Sequence, residues 1–417
     1  MFCAHDLLFS RKIIRFAKRS THTRAYIYKV QHMKRTHTLG FDAKYANADT
    51  NGIGNYCRFV ARAIATAYPE NTYLRLYTPT QLPNADYEAL AEMPNVESME
   101  PDGALWRRLK RLWRMWHVTK DAKRGDVELF HGLANTLPYG LARRGIRSVV
   151  TIHDLRFIRY PNHFNIIDRI LREFMMRSAC RRADRIIAAS ETTKRDLRKL
   201  LRVNPEKIDV VYQGCDQQYS MPISDEQVAA VREKYQLPKS YILNVGEIEE
   251  RKNIGLIIEA LAELPESVEL VVAAKQTSYT KRLKRRIKSL GVEKRVHFRN
   301  VAHEDKPALY KGADIFIYPS HFEGFAVEIL EALSVGVPVI ATRGSSLEEV
   351  GGNKTIYVSP RDCGEMVEAI ERILADEELR EQMISAGKRH TRHFRSEVTA
   401  YGIMKCYERI GVELEIQ

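Results

Sequence analysis

Glu323 and Glu331 stand eight positions apart in the run His321-Phe-Glu-Gly-Phe-Ala-Val-Glu-Ile-Leu-Glu331. Gly324 opens a helical pattern that ends near Gly336, and the apolar Val337–Ala341 then reads as a buried strand. Strand, loop, helix and strand, with an acid at each end of the turn, can hold a phosphorylated, hydroxyl-rich ligand. A helix N-terminus offers free N–H groups and partial positive charge to phosphate. A carboxylate further along accepts hydrogen bonds from sugar hydroxyls. Upstream, Tyr241–Gly246 reads as a strand, followed by Glu247-Ile-Glu-Glu-Arg251-Lys252-Asn253 and an apolar-periodic helix from Ile254. That order aims the Lys252 ammonium and helix N–H groups at a diphosphate. Glu328, inside the helical pattern, is expected to face solvent or to pack structurally. His131 reads as a core histidine or a cleft residue, with the core reading favoured, and Asp154 as a cap of the turn after its strand or a substrate contact.

The elements that must position these residues are short apolar runs alternating with helical patterns. Strands are expected at 38–42, 72–77, 127–131, 148–153, 185–190 and 208–212, then at 241–246, 268–273, 295–299, 314–319, 337–341 and 355–358. β-branched runs separated by helices imply parallel sheets buried on both faces. Two such series predict an α/β protein of two doubly wound, Rossmann-like domains facing a deep cleft. A chain of 417 residues is long enough for two cores. The predicted division is a basic extension over 1–36, a first domain over 37–220, a second over 221–395, and a final helix, 396–417, packing back on the first.

Six scattered cysteines without a C-x-x-C pair argue against a zinc site or a disulfide framework and fit a reducing cytoplasm. No run is long enough to cross a bilayer, and the N-terminus lacks the apolar core of a signal peptide. The net charge of +13 is concentrated in two places. Residues 1–38 hold nine Lys/Arg against Asp6 alone, and residues 104–124 hold eight against Asp121 alone. The rest of the chain is slightly acidic, so the basicity points to a local polyanion or anionic membrane contact. The second patch, Trp106-Arg-Arg-Leu-Lys-Arg-Leu-Trp-Arg-Met-Trp116, contains every tryptophan of the chain. Read as one helix, it places Trp106, Trp113 and Trp116 on a stripe beside arginines such as Arg111, a composition suited to a membrane interface. Leu7–Arg19 is a second basic amphipathic stretch. Met33 lies just before the first predicted domain, and the extension is read first as a misplaced start, otherwise as a targeting sequence or a further membrane contact.

Gly246, then Arg251-Lys252-Asn253, then Glu323-Gly-Phe and Glu331-Ala, then Gly336-Val-Pro338-Val-Ile, together resemble the donor site of glycosyltransferase family 4. The likeness extends over most of the chain. Phe41-Asp-Ala-Lys-Tyr45 and Asn51-Gly-Ile-Gly-Asn-Tyr56 resemble the family's first strand and glycine loop, and Thr151-Ile-His-Asp154 its active-site histidine segment. The resemblance implies the two-domain GT-B fold and a retaining, nucleotide-sugar-dependent enzyme that needs no cofactor and no metal. It implies Glu331 on the nucleotide ribose and Glu323 beside the transferred sugar. It also implies the N–H groups of Gly324 and Phe325 on sugar or phosphate, and Lys252 with help from Arg251 on the diphosphate. His153 would lie near sugar and acceptor, and Gly52 and Gly54 would form the acceptor-side loop. Two departures stand out: Glu247 where the family often has arginine, and Glu348 where it usually has proline before the acid equivalent to Glu349.

The leading expectation is transfer of a mannose- or glucose-type hexose from a nucleoside-diphosphate sugar. The acceptor would be a saccharide or a lipid-linked glycan in surface polysaccharide or lipopolysaccharide synthesis, at the cytoplasmic face of a membrane. A nucleotide-sugar epimerase is the alternative enzyme, and a phosphorylase would show a pyridoxal-binding lysine. A basic membrane- or nucleic-acid-binding protein is the non-enzyme alternative. Nucleic acid is disfavoured by the absence of a recognised module.

Overall fold

The computed structural model describes residues 36–48, 52–161 and 164–412. The readings made of the N-terminal extension therefore lie outside the described residues. Seven strands form one sheet: β1 (His37–Asp42), β2 (Thr72–Tyr77), β3 (Val96–Met99), β4 (Leu129–Gly132), β5 (Arg147–Ile152), β6 (Arg185–Ala188) and β7 (Ile208–Val210). Six form a second: β8 (Ile242–Val245), β9 (Leu270–Ala273), β10 (Val296–Arg299), β11 (Ile315–Tyr318), β12 (Val339–Thr342) and β13 (Ile356–Val358). The orders are β3-β2-β1-β4-β5-β6-β7 and β10-β9-β8-β11-β12-β13. Each pairing is parallel. This is the two-domain GT-B architecture. Strands β8, β9, β11 and β12 are buried along their whole length, because helices cover both faces. β3, Val-Glu-Ser-Met, is not legible in the sequence, being a half-exposed edge strand with one β-branched residue.

In each sheet the strand order reverses once, between β1 and β4 and between β8 and β11. The carboxyl ends of strands flanking such a reversal leave a crevice, where this architecture binds ligands. The helices that matter to the site are α1 (Gly52–Ala67), α2 (Ile166–Arg182) and α3 (Glu191–Leu201) in the first domain. In the second they are α4 (Ile254–Glu263), α5 (Val327–Val335) and α6 (Leu347–Gly351). The last, α7 (Ser396–Glu408), returns to the first domain, where Ala400, Ile403, Met404 and Tyr407 share a core with Leu39, Phe41 and Val60. The Tyr407 hydroxyl lies 2.7 Å from Nδ1 of His131, and Thr151 Oγ1 lies 2.8 Å from its Nε2. His131 is thus a satisfied core histidine; burial, then His153 nearby, push its pKa down to about 3.

The domains also touch directly. Glu349 of α6 accepts hydrogen bonds at the start of α3, from the N–H groups of Glu191 (2.7 Å) and Thr192 (2.8 Å) and from Thr192 Oγ1 (2.7 Å). Tyr212, between the domains, donates to the same carboxylate at 3.0 Å. A negative charge at a helix N-terminus is favourable. Glu348 accepts from the N–H of Gly344 at 3.2 Å.

The segment 104–124 corrects one expectation. It is not one helix with a tryptophan stripe. A helix over Ala104–Arg108 breaks at Leu109 (φ −100°, ψ 44°), a π-helical turn covers Trp113–His117, and a further helix covers Val118–Arg124. The break and the wide turn rotate Trp113 into the core, where it is 1% exposed and its Nε1–H donates to Asp121 Oδ2 at 2.7 Å. Trp113 therefore cannot serve as the membrane contact the sequence suggests. Arg114 also turns inward, pairing with Asp42 at 2.5 Å. Trp106 is half-buried and stacked on His117 at 4.2 Å between ring centroids, whereas Arg111 and Trp116 stay exposed. Trp113→Ala should cost roughly 3–5 kcal/mol in urea unfolding, as for other buried large-to-small changes. A loss under about 1 kcal/mol would contradict its place in the core.

Candidate active site

The second-domain side is built from the two strand ends flanking the β8/β11 reversal. After β8, Gly246 has φ +136°, a conformation suited to glycine, and the chain turns through Glu250–Lys252 into α4. Asn253 sits in the left-handed region (φ 55°) and donates through Nδ2 to the carbonyls of Pro319 (3.1 Å) and Pro360 (2.9 Å). Asparagine tolerates that backbone better than most residues, so it locks the Arg-Lys turn against the loop after β11.

Both basic side chains of the turn reach that loop. Lys252 Nζ lies 3.0 Å from Glu323 Oε1 and 3.7 Å from Glu328 Oε1, and it contacts the Tyr318 hydroxyl. Arg251 pairs with the same Glu323 oxygen, donates to the Phe322 carbonyl at 3.2 Å and reaches Glu249 at 3.3 Å. It braces Glu323 through one terminal nitrogen and reaches Glu249 through the other. Ser320 Oγ adds a hydrogen bond to Glu323 at 2.8 Å. Burial by itself would raise the pKa of Glu323, but Lys252 and Arg251 outweigh it and hold the carboxylate at about 2. Of its two expected placements, Glu328 takes the inward one: it lies in the first turn of α5 facing Lys252 and Gly246.

The start of α5 carries no side-chain cap, so its first N–H groups remain open to an anion. Glu331, further along α5, is buried and accepts a hydrogen bond from Tyr310 at 2.8 Å. Burial, then the charge of Glu328, raise its pKa to about 7. Burial first, and then Glu249, also raise the pKa of Glu247. The Phe325 ring packs between Tyr212 and Phe394, with centroids 6.1 and 6.2 Å away, leaving its backbone as the part available to a ligand.

The first-domain side is the end of β5. His153 follows Ile152, its N–H held by Asn135 Oδ1 at 2.9 Å and its Nε2–H donated to the Leu133 carbonyl at 2.9 Å. Burial lowers its pKa, so the ring is neutral. Tyr56 of α1 meets it edge-on, with ring centroids 4.6 Å apart. Gly52 and Gly54 lie in the first turn of α1 and not in an open loop; Gly52 is exposed and Gly54 buried. Asp154 accepts from the N–H of Arg156 at 2.9 Å, capping the turn as its position suggests.

The two sides meet at Gly324. A Cβ there would lie 2.1 Å from the His153 carbonyl oxygen and 2.8 Å from Asp154 Cβ. Glycine is what lets the donor-side loop close on the acceptor-side strand end. The structure thus brings Lys252, Arg251, Glu323, Gly324 and His153 to one place. It adds Tyr318, Ser320, Tyr310 and Glu328, which sequence reasoning did not assign. Among these, only Glu328 carried a signal, as an acid in the first turn of α5.

Residues 50–219 match the model of glycosyltransferase family 4, and residues 228–390 match that of glycosyl transferases group 1. O-antigen chain mannosyltransferase B of Escherichia coli is 28% identical over 364 residues, 82% of this chain and 92% of that protein. O-antigen chain mannosyltransferase RfbU of Salmonella typhimurium is 28% identical over 54% of this chain and 60% of its own length. Among solved structures, sucrose-phosphate synthase of Thermosynechococcus elongatus superposes with a TM-score of 0.73 at 19% identity, over 90% of this chain and 99% of that one. Anabaena HepE, solved with UDP, gives 0.69 at 20% identity, over 90% and 100%. Those likenesses establish the fold, and the two family models span both domains on either side of the cleft just described. Together with the likeness to the O-antigen mannosyltransferase, they make the chain a glycosyltransferase of the family 4 type.

Proposed function

We propose that the chain transfers a mannose- or glucose-type hexose from a nucleoside-diphosphate sugar to a saccharide or lipid-linked acceptor in surface polysaccharide or lipopolysaccharide assembly. The observation that carries this reading is Lys252, held between Glu323 and Glu328 beside Gly246 and the uncapped start of α5. Breaking the bond from the anomeric carbon to phosphate puts negative charge on the leaving diphosphate and positive charge on the sugar. An ammonium and helix N–H groups fixed at the leaving group stabilise that transition state. They supply the charge that a metal would otherwise bring, so the transfer is metal-independent. The similarity to O-antigen mannosyltransferases supports the hexose and the pathway class.

Transfer proceeds with retention. A double displacement would need a free carboxylate nucleophile. Glu323 is already engaged by Arg251, Lys252 and Ser320 and is a weak base, which favours same-face attack. In that path the acceptor hydroxyl attacks as the phosphate leaves, and its proton passes to the departing phosphate oxygen. His153, neutral, positions sugar and acceptor. The basic segment with Arg111 and Trp116 brings a lipid-linked acceptor by resting on an anionic membrane, and no described helix is long and apolar enough to cross one.

The test is a thermal-shift panel of nucleoside diphosphates. A ligand at 100 times its dissociation constant stabilises by roughly 2.7 kcal/mol. Loss of that shift in Glu331→Ala and Lys252→Ala places the nucleotide; no shift with any nucleotide removes the reading.

Glu331 adds a pH dependence. Its pKa is raised from 4.5 to about 7, so the unliganded protein holds a proton there that the unfolded chain has lost. This contribution to stability is present below 4.5 and is lost as pH rises to about 7. A ribose diol donates best to the ionised form, so nucleotide affinity should rise over the same range. Calorimetry near pH 6 in buffers of different ionisation enthalpy should show proton release on nucleotide binding, absent in Glu331→Gln. Equal heats across buffers in the native protein would contradict it.

A further inference from the structure

Among the described residues, a helix face of the first domain has no partner. On α2, Ile166, Ile167, Ile170, Leu171 and Phe174 are all more than half exposed, Ile167 at 72% and Phe174 at 64%. At 3.6 residues per turn they share an arc of roughly 140°. The opposite side supplies the core residues Met176, Ala179 and Cys180 further along. Isolated exposed leucines need no explanation, but a contiguous apolar ridge does.

A second apolar group adjoins it. Trp116, 57% exposed, stacks on Tyr139 at 4.4 Å between centroids. Tyr139 in turn lies against α2, its hydroxyl 3.3 Å from Ser178 Oγ and its ring 4.0 Å from the Arg182 guanidinium. Ser178 and Arg182 fall at the edge of the apolar arc, so α2 and the segment of Trp116 and Leu112 present their apolar side chains on one flank. Charge selects the occupant. α2 carries five arginines against two acids, and the neighbouring segment carries Arg107, Arg108, Lys110 and Arg111, all exposed. A symmetric dimer through this face would set these arginines against their own copies, a like-charge cost. An anionic bilayer accepts apolar side chains below its headgroups and arginines among them.

We propose that the exposed face of α2 inserts into an anionic membrane and, together with Leu112 and Trp116, sets the orientation of the enzyme on it. This rests on the membrane reading of the lipid-linked acceptor and names a surface that reading lacked. The orientation suits the chemistry. Tyr160 and Arg159 lie against Phe322, next to Glu323, with centroid distances of 5.7 and 5.2 Å. From Tyr160 to Ile166 the chain can span at most roughly 21 Å. The ridge therefore begins within that reach of the site residues, on the domain that would take a lipid-anchored acceptor.

The experiment is flotation of the full chain with phosphatidylglycerol-containing vesicles and with pure phosphatidylcholine vesicles. The variants are Ile167→Ser/Ile170→Ser/Phe174→Ser and, separately, Leu112→Ser/Trp116→Ala. The native protein should float only with the anionic vesicles, and the α2 variant should bind them roughly 100-fold more weakly. It should keep its melting temperature and its nucleoside-diphosphate thermal shift, since the altered side chains are exposed. An α2 variant that floats like the native protein overturns the inference, and if the Leu112/Trp116 variant alone fails to float, the broader membrane reading survives it. Native protein that ignores both vesicles overturns both. An α2 variant that turns a dimer into a monomer by light scattering, with flotation unchanged, assigns the face to a second copy and also overturns it. Absence of a nucleotide shift in the native protein would instead count against the transferase reading alone.

Discussion

Gly324→Ala should lower sugar transfer by roughly 100-fold while leaving nucleotide binding intact. The added Cβ would stand 2.1 Å from the His153 carbonyl oxygen, far inside contact distance. That oxygen cannot easily retreat, because Thr193 Oγ1 of α3 donates to it at 2.9 Å. Nor can the Gly324 loop, because Ser346 Oγ holds the Glu323 carbonyl at 2.9 Å and Arg251 holds the Glu323 side chain. Relief must come from parting the domains by about an ångström, which is enough to spoil the alignment of donor and acceptor. Each domain keeps its own core, so the diphosphate thermal shift should persist. Steady-state transfer assays beside thermal shifts would show this, and a variant as active as the native enzyme would mean that the working closure differs from the one described.

Lys252→Ala should reduce kcat by roughly 10²–10³, the usual effect of removing one preorganised charge from a transition state. Its ammonium is nearly buried and lies within ion-pair distance of two carboxylates. The substitution strips the leaving group of its cation and also leaves Glu328 facing the diphosphate uncompensated. Glu328→Gln separates these effects. It keeps Lys252, removes one competitor for its charge, and relieves the neighbour that helps raise the pKa of Glu331. Nucleotide affinity should therefore rise in Glu328→Gln and fall in Lys252→Ala, both measurable by calorimetry. If both variants bind nucleotide as the native protein does, Lys252 is a structural ion pair and not a phosphate ligand.

Much of the fold is legible locally. Apolar β-branched runs such as Ile315–Tyr318 and Val339–Thr342 are strands because nothing but burial on both faces suits them. The Glu323–Glu331 spacing puts one acid in the loop and the other in the helix that begins at Val327, and Gly336 at φ +93° ends that helix. The edge strand β3 escapes because its pattern is half polar. The tryptophan stripe misleads because periodicity assumes one regular helix. A break at Leu109 and a π-helical turn change which side chains face inward, and a buried hydrogen bond to Asp121 decides the matter for Trp113.

The amino-acid order by itself determined where most of the strands, the Arg251-Lys252 turn and the two glutamates lie, since hydrophobic period and glycine placement act over a few residues. Only the tertiary structure decided which charges neutralise one another. The pairing of Lys252 with Glu328, the bracing of Glu323 by Arg251 and the contact of Gly324 with His153 join residues far apart in the chain. The same holds for the bare face of α2, which is apolar in sequence like any core helix. Whether such a face is covered depends on what packs beside it, and that is a property of the assembled domain.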